Sequence, residues 1–150
     1  MSAAALPSAL AELIDDFQEL SENDRLQLLL ELSDELPELP ARYADHPELL
    51  EPVPECQSPL FLTVEVDENQ IVSLFFSAPP QAPTTRGFAN ILHTGLNGLQ
   101  AQEILDVPDT FPERLGLTQA VSMLRMRGMH AMLGRVKRQI AEKLEQPAQE

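Results

Sequence analysis

The chain has no tryptophan, one tyrosine and one cysteine in 150 residues, and only ten Lys and Arg against 24 Asp and Glu. Each shortage excludes something. One thiol cannot close an internal disulfide, nor supply by itself a multi-thiolate zinc or iron–sulfur site. A formal charge of −14 leaves no concentrated basic face to neutralise nucleic-acid phosphates or to dock on an anionic membrane leaflet. No apolar run approaches the roughly 20 residues of a membrane-spanning helix. Met1 to Phe17 contain no Lys or Arg, so the basic region of a signal peptide is missing, and Glu12, Asp15 and Asp16 interrupt the apolar residues. These absences imply a cytoplasmic chain whose thiol stays reduced and which contacts neither nucleic acid nor membrane. The six glycines are dispersed and build no G-x-G or G-K-[ST] phosphate loop, and no G-x-S-x-G elbow occurs.

What is present is an ordinary globular composition, 43% hydrophobic and 23% charged. The length suits one domain that buries about 70% of its unfolded surface without a disulfide or metal staple. A single domain is expected over residues 1–150, with an ordered core over 8–144 and a frayed tail from Gln146.

Leu10, Leu13, Ile14 and Phe17 recur at i, i+3, i+4 and i+7, one helical stripe. Ser21-Glu22-Asn23-Asp24 opens a second helix as a capping box, with Ser21 accepting from the Asp24 amide. Leu26, Leu29, Leu30 and Leu36 are its expected buried side, widened by Leu28 and Leu32, and Pro37 and Pro40 stop it. From Pro40 to Pro59 no helical or strand period appears, which predicts an extended, largely surface segment. Leu60, Leu62, Val64 and Val66 alternate, Asp67-Glu68-Asn69 turns, and Val72, Leu74 and Phe76 alternate back: an antiparallel hairpin with one buried face. After Pro79, Pro80 and Pro83, a helix capped by Thr84 carries Phe88, Ile91 and Leu92 and ends near Gly95 or Gly98. A short helix follows around Ala101 to Leu105. The last runs from about Ser122 to Leu144 on a stripe of Met129, Met132, Leu133, Val136, Ile140 and Leu144. The fold class is therefore α+β, a small antiparallel sheet of about three strands against a helical layer.

Charge is uneven. Residues 1–85 hold seventeen acids with only Arg25 and Arg42 as bases, a net of −15, whereas residues 86–150 hold seven acids and eight bases, a net of +1. Arg125, Arg127, Arg135, Lys137, Arg138 and Lys143 all fall in the last helix. His46, His93 and His130 lie on three elements without ligand spacing, and pairs such as Asp15-Asp16 and Glu48/Glu51 sit in exposed-looking segments. Familiar enzyme motifs are absent.

Cys56 stands apart. It lies on no apolar stripe but in Glu51-Pro52-Val53-Pro54-Glu55-Cys56-Gln57-Ser58-Pro59, a proline-punctuated loop that reads as presenting the thiol rather than packing it. A free thiol is about a tenth thiolate or less near neutral pH, and Glu51 and Glu55 push that fraction lower. No base is near in sequence, so activation must come from a distant arginine, from partial burial or from a partner. The residues thus read as a thiol used inside a complex, beside which an incidental cysteine in an acidic adaptor stays open. A redox sensor would need a low-pKa thiol, which the two glutamates oppose.

Four segments in register resemble the SufE family of sulfur-acceptor proteins. Glu55-Cys56-Gln57-Ser58-Pro59-Leu60-Phe61-Leu62 resembles its Gly-Cys-x-Ser-x-Val-Trp segment. Leu36-Pro37-Glu38-Leu39-Pro40 looks like its Leu-Pro-x-Leu-Pro stretch, and Arg86-Gly87-Phe88-Ala89-Asn90-Ile91-Leu92 like its Lys/Arg-Gly-Leu-x-x-x-Leu helix. Ser122 to Met132 resembles its Ser-Pro-x-Arg-x-x-Gly-Leu-x-Ala-Met block. The resemblance implies the fold of iron–sulfur scaffold proteins, a three-stranded sheet packed on helices. It implies that Cys56 takes sulfane sulfur from a SufS-type, PLP-dependent cysteine desulfurase, stimulates that enzyme, and delivers the sulfur to an assembly scaffold such as a SufBCD complex. The chain itself would bind no cofactor. Arg125 matches the family arginine close to the cysteine loop. Arg127 lies about 200° further round a helix, so only one of the two faces that loop. Glu51, Glu55, Gln57, Ser58 and Arg127 become candidates for docking the partner. The chain departs from the pattern at Glu55, where the family has a glycine permitting φ > 0. Phe61 replaces the family's tryptophan, and Gln81 stands where a loop-orienting aspartate is expected.

Overall fold

The structure, a computed structural model, describes residues 6–118 and 120–145. The tail from Gln146 and the first five residues lie outside them. Among the described residues six helices flank one sheet: α1 (Ser8–Gln18), α2 (Glu22–Asp34), α3 (Ala41–Ala44), β1 (Glu51–Pro52), β2 (Phe61–Val66), β3 (Val72–Ser77), α4 (Pro83–Leu96), α5 (Ala101–Leu105) and α6 (Met123–Glu145). Single 3-10 turns occupy Pro47–Leu49, Pro54–Cys56 and Phe111–Leu115.

Local physics accounts for most of these elements. The α1 stripe is buried as its period requires, and Ser21 caps α2 by accepting the Asp24 amide at 3.2 Å. The buried side of α2 is Leu29, Leu32 and Ser33, with Leu36 just beyond the helix, whereas Leu26, Leu28 and Leu30 are half-buried. That shifts the expected face toward the C-terminal end, where α4 packs and where the Leu32 carbonyl accepts from Asn90 Nδ2 at 2.8 Å. The strands pair antiparallel in the order β1-β2-β3, with Leu62 opposite Phe76 and Val64 opposite Leu74, so the alternating apolar residues share the covered face. At the hairpin turn Asp67 Oδ1 accepts the amides of Asn69 and Ile71 at 2.8 and 2.9 Å. The α4 helix starts one residue before the expected cap. Pro83 occupies its first turn, Ala82 is the cap residue without a side-chain bond, and Thr84 lies inside the helix, which ends at Leu96.

The segment from Pro40 to Pro59 departs most from its reading. It is a chain of short turns rather than an extended surface strand. Pro47 and Pro54 each open a 3-10 turn with their fixed φ, Glu51–Pro52 adds a third strand beside Phe61–Leu62, and Leu50, Val53 and Cys56 are buried. Arg42 and Tyr43 strap its first part to the open face of the sheet. Tyr43 Oη donates to Glu65 at 2.6 Å, Arg42 pairs with the same carboxylate at 2.9 Å, and the Tyr43 ring lies 4.9 Å from that of Phe75.

The layers meet in one core. Helices α1, α2 and α4 pack together, α4 bridges to the sheet, and α6 crosses β2 and the turn that bears Cys56. Among the described residues no helix is long and apolar enough to cross a membrane.

Candidate functional site

The only thiol closes a small loop. Val53 donates its amide to the Leu60 carbonyl at 2.9 Å, so the loop's two ends are tied, and both residues are 1% exposed. Within the loop the Cys56 amide reaches the Val53 carbonyl at 3.1 Å and the Gln57 amide the Pro54 carbonyl at 3.0 Å. Gln57 then takes a left-handed φ of 60°, which for a side chain of this kind costs of order 1 kcal/mol. The positive φ therefore falls after the cysteine, at Gln57, and not at Glu55, where the family's glycine suggested it.

Cys56 is packed, not presented: it is 8% exposed and belongs to the core cluster. Its Sγ lies 3.7 Å from the Gly128 carbonyl on α6. A Cβ on Gly128 would stand 3.1 Å from both Sγ and Cα of Cys56, so glycine there is what lets the loop seat this deeply. Burial pushes the thiol up to about 12, Glu55 adds to the rise, and the charge of Arg135 opposes it. The shift favours the neutral thiol over the thiolate near neutral pH. The expected suppression holds, but its main cause is burial, with Glu55 second; Glu51, expected to add to it, is not among the charges that shift the thiol.

The arginine facing this loop is Arg135, seven residues beyond Gly128 and hence two turns along the same face of α6. Its Nε pairs with Glu51 at 3.1 Å and its Nη1 with Glu55 at 3.1 Å. Arg138 also pairs with Glu51, and Gln139 Nε2 donates to that carboxylate at 2.8 Å. Burial raises the Glu51 carboxyl, but the hydrogen bonds of Gln139 and Arg138 and the two cations outweigh it and hold it below its ordinary value. Glu51 and Glu55 are thus engaged within the fold.

The other sequence candidates are placed as follows. Arg125 is exposed on the first turn of α6, where its amide is capped by Ser122 Oγ at 3.1 Å; its side chain makes no ion pair among the described residues. It lies one turn before Gly128 and about 60° round the helix from it. Arg127 is exposed as well, beside Met123 and Leu124, which are 70% and 44% exposed. Gln57 is exposed and Ser58 half-buried. Gln81 sits exposed in the turn before α4. His46, His93 and His130 remain on separate elements; burial pushes His93 down. Among the described residues no group of His, Cys, Asp and Glu comes together as a metal site. Sequence reading missed Arg135, Arg138 and Gln139 as loop contacts. Their i, i+3, i+4 spacing marks one helix face, but nothing local shows that Glu51 lies opposite.

The fold is an α+β domain, helices on a three-stranded antiparallel sheet, with its sole thiol seated against a helix glycine. The family model SufE, an Fe-S metabolism associated domain, matches residues 11–140. A SufE-like protein of Mycobacterium tuberculosis is 53% identical over 93% of this chain and 96% of its own length. A SufE-like protein of Rhizobium meliloti is 31% identical over 87% and 93%. The solution structure of a hypothetical protein from Thermus thermophilus superposes with a TM-score of 0.81 at 34% identity, covering 95% of this chain and all of that one. The chain belongs to the SufE family, and its role lies in iron–sulfur metabolism.

Proposed function

We propose that the protein is a persulfide carrier that takes sulfane sulfur from a PLP-dependent cysteine desulfurase onto Cys56 and delivers it for iron–sulfur cluster assembly. The observation that carries this reading is the guarded thiol itself. The sole cysteine sits in the family's cysteine segment, buried and protonated, which suits a group used only when a partner draws it out. Docking extends the Val53–Leu60 loop, returns the thiol to water or to the partner's cations, and so lowers its pKa.

The transfer balances. The Cys56 thiolate attacks the outer sulfur of the desulfurase persulfide, the S–S bond of that persulfide breaks, and the desulfurase cysteine leaves as a thiolate. Cys56 then carries S–SH, and the freed desulfurase can turn over again, which is how the carrier stimulates it. Arg125, on the exposed first turn of α6, would steady the extended loop or the persulfide within that complex.

Incubation with a desulfurase and L-cysteine should add one sulfur atom, about 32 Da, at Cys56 by mass spectrometry. Cys56→Ser should abolish both the adduct and the stimulation of sulfide release. Undiminished stimulation by Cys56→Ser would overturn the carrier reading in favour of an adaptor that binds through its surface alone. Arg125→Ala should slow transfer, and full activity in that variant would remove Arg125 from the site.

A further inference from the structure

The carrier chemistry needs a thiol that can come out; it does not require the polar network that holds the loop in. Three residues on one face of α6, Arg135, Arg138 and Gln139, converge on Glu51, which opens the loop's first strand. Arg135 also holds Glu55, the residue before Cys56, at 3.1 Å. The network therefore grips the loop twice, at its stem and at the thiol-bearing turn. It is neither buried nor fully open: the side chains of Arg135 and Glu51 are 23% and 31% exposed. Beside it, Ala131 and Gly134 line an open depression with Glu51, Arg135 and Arg138, so dissolved ions reach the pairs.

We propose that Arg135, supported by Arg138 and Gln139, is a positioning residue whose ion pairs to Glu51 and Glu55 latch the Cys56 loop onto α6 and set how often the thiol is exposed. That this timing serves sulfur transfer rests on the carrier reading; the latch itself does not. Arg135 has two separable effects of opposite sign. Its positive charge favours the Cys56 thiolate, so removing it as an activator would slow thiol chemistry. Removing it as a latch frees the loop and speeds the same chemistry. Glu51 supplies a cleaner variant, because it holds the loop without being among the charges that shift Cys56.

The test is the rate of Cys56 alkylation by iodoacetamide in the free, reduced, full-length protein. The reagent is neutral, so its encounter with the protein is insensitive to salt. Arg135→Met and Glu51→Gln should each alkylate about two- to fivefold faster than the wild type, the range expected when partly shielded pairs are lost. Arg135→Lys should recover part of the protection. Raising salt from about 0.05 to about 0.5 M should accelerate the wild type but not the double variant Glu51→Gln/Arg135→Met. In all of these the rate should stay flat in dilute urea, the mark of local rather than global opening. Slower or unchanged alkylation of Arg135→Met, or a wild-type rate indifferent to salt, overturns the latch. The salt series needs no variant, so a substitution that fails to fold does not leave the question undecided. A protein that takes sulfur onto Cys56 yet shows none of these signatures keeps the carrier function and loses the latch.

Discussion

Gly87 and Gly128 each bring backbone close to a neighbouring element, and they meet opposite kinds of partner. On α4, Gly87 faces α2: a Cβ there would come within 2.6 Å of both the Leu29 carbonyl oxygen and Leu29 Cδ1. On α6, Gly128 faces the cysteine loop, and its Cβ would stand 3.1 Å from Cys56. The first neighbour is the middle of a thirteen-residue helix whose buried side is locked among apolar groups. Beside it Arg86 ties the start of α4 to the Ser33 and Ala78 carbonyls at 3.1 and 2.7 Å. The second neighbour is a 3-10 turn held by its own short bonds and by charged side chains. Gly87 meets backbone inside a packed helix, which leaves little room to yield; Gly128 meets a short turn held in part by charged side chains, which can yield at smaller cost. The proposed carrier chemistry calls for both, a stiff frame and one movable thiol.

The largest test of that contrast lies in the frame. Gly87→Ala forces α4 and α2 apart against a backbone atom, and overpacking of this kind costs about 3 kcal/mol. The helix-propensity gain of about 1 kcal/mol offsets part of it. Thermal denaturation should show a net loss of about 2 kcal/mol, a drop in Tm of roughly 4–8 °C. An unchanged Tm would mean that α2 yields as readily as the loop, and the contrast would fail at its stiff end.

A second, smaller effect belongs to the loop alone and appears with pH. The Cys56 thiol titrates near 9.0 when unfolded and at about 12 when seated. Above pH 9 the unfolded chain therefore binds fewer protons than the folded one, and stability falls as pH rises. The contribution is complete below pH 9 and is lost progressively toward pH 12. Between pH 9 and 10 the loss is about 1 kcal/mol. Urea denaturation across that unit should show this slope in the wild type and not in Cys56→Ala. Equal slopes would mean that the thiol is not shielded in the folded state.

How legible each region was in the sequence follows the same division. The frame announced itself. The α1 stripe, the Ser21 cap, the alternating hairpin and the Ala101–Leu105 helix depend on neighbours within a turn or two, where spacing and capping chemistry are visible. The lapses there were small. Leu32 is buried as expected, and Ser33 took a buried place that Leu26, Leu28 and Leu30 hold only in part, because α4 approaches α2 toward its end, a tertiary preference that period alone does not reveal. Thr84 lost its capping role to the turn that Pro83 starts. The cysteine loop was far less readable. Its prolines correctly signalled the absence of a regular period, but not that successive turns would fold Val53 and Cys56 inward. That outcome depends on Gly128, 72 residues away. The same distance hid the arginine contacts: resemblance pointed to Arg125, whereas the guanidinium facing the loop is that of Arg135, reaching Glu51 across 84 positions. The loop that bears the sole cysteine was readable as a segment without regular period; the burial of Cys56 and the charges that oppose and hold it were not.

The finest test substitutes the loop's own glycine. Gly128→Ala places a methyl group 3.1 Å from Cys56 Cα and Sγ, a contact relieved by a shift of a few tenths of an ångström. The loop, rather than α6, should supply that shift, because α6 is a 23-residue helix packed on β2 while the loop is a three-residue 3-10 turn. The helix gains about 1 kcal/mol from alanine, the loop loses a similar amount of seating, and overall stability should stay within about 0.5 kcal/mol of the wild type. What changes is the thiol, which should alkylate a few-fold faster with Tm unmoved. Loss of stability matching Gly87→Ala, without faster alkylation, would show a loop as rigid as α2. The opposite pairing, neutral stability with a readier thiol, is what a movable group on an immovable frame requires.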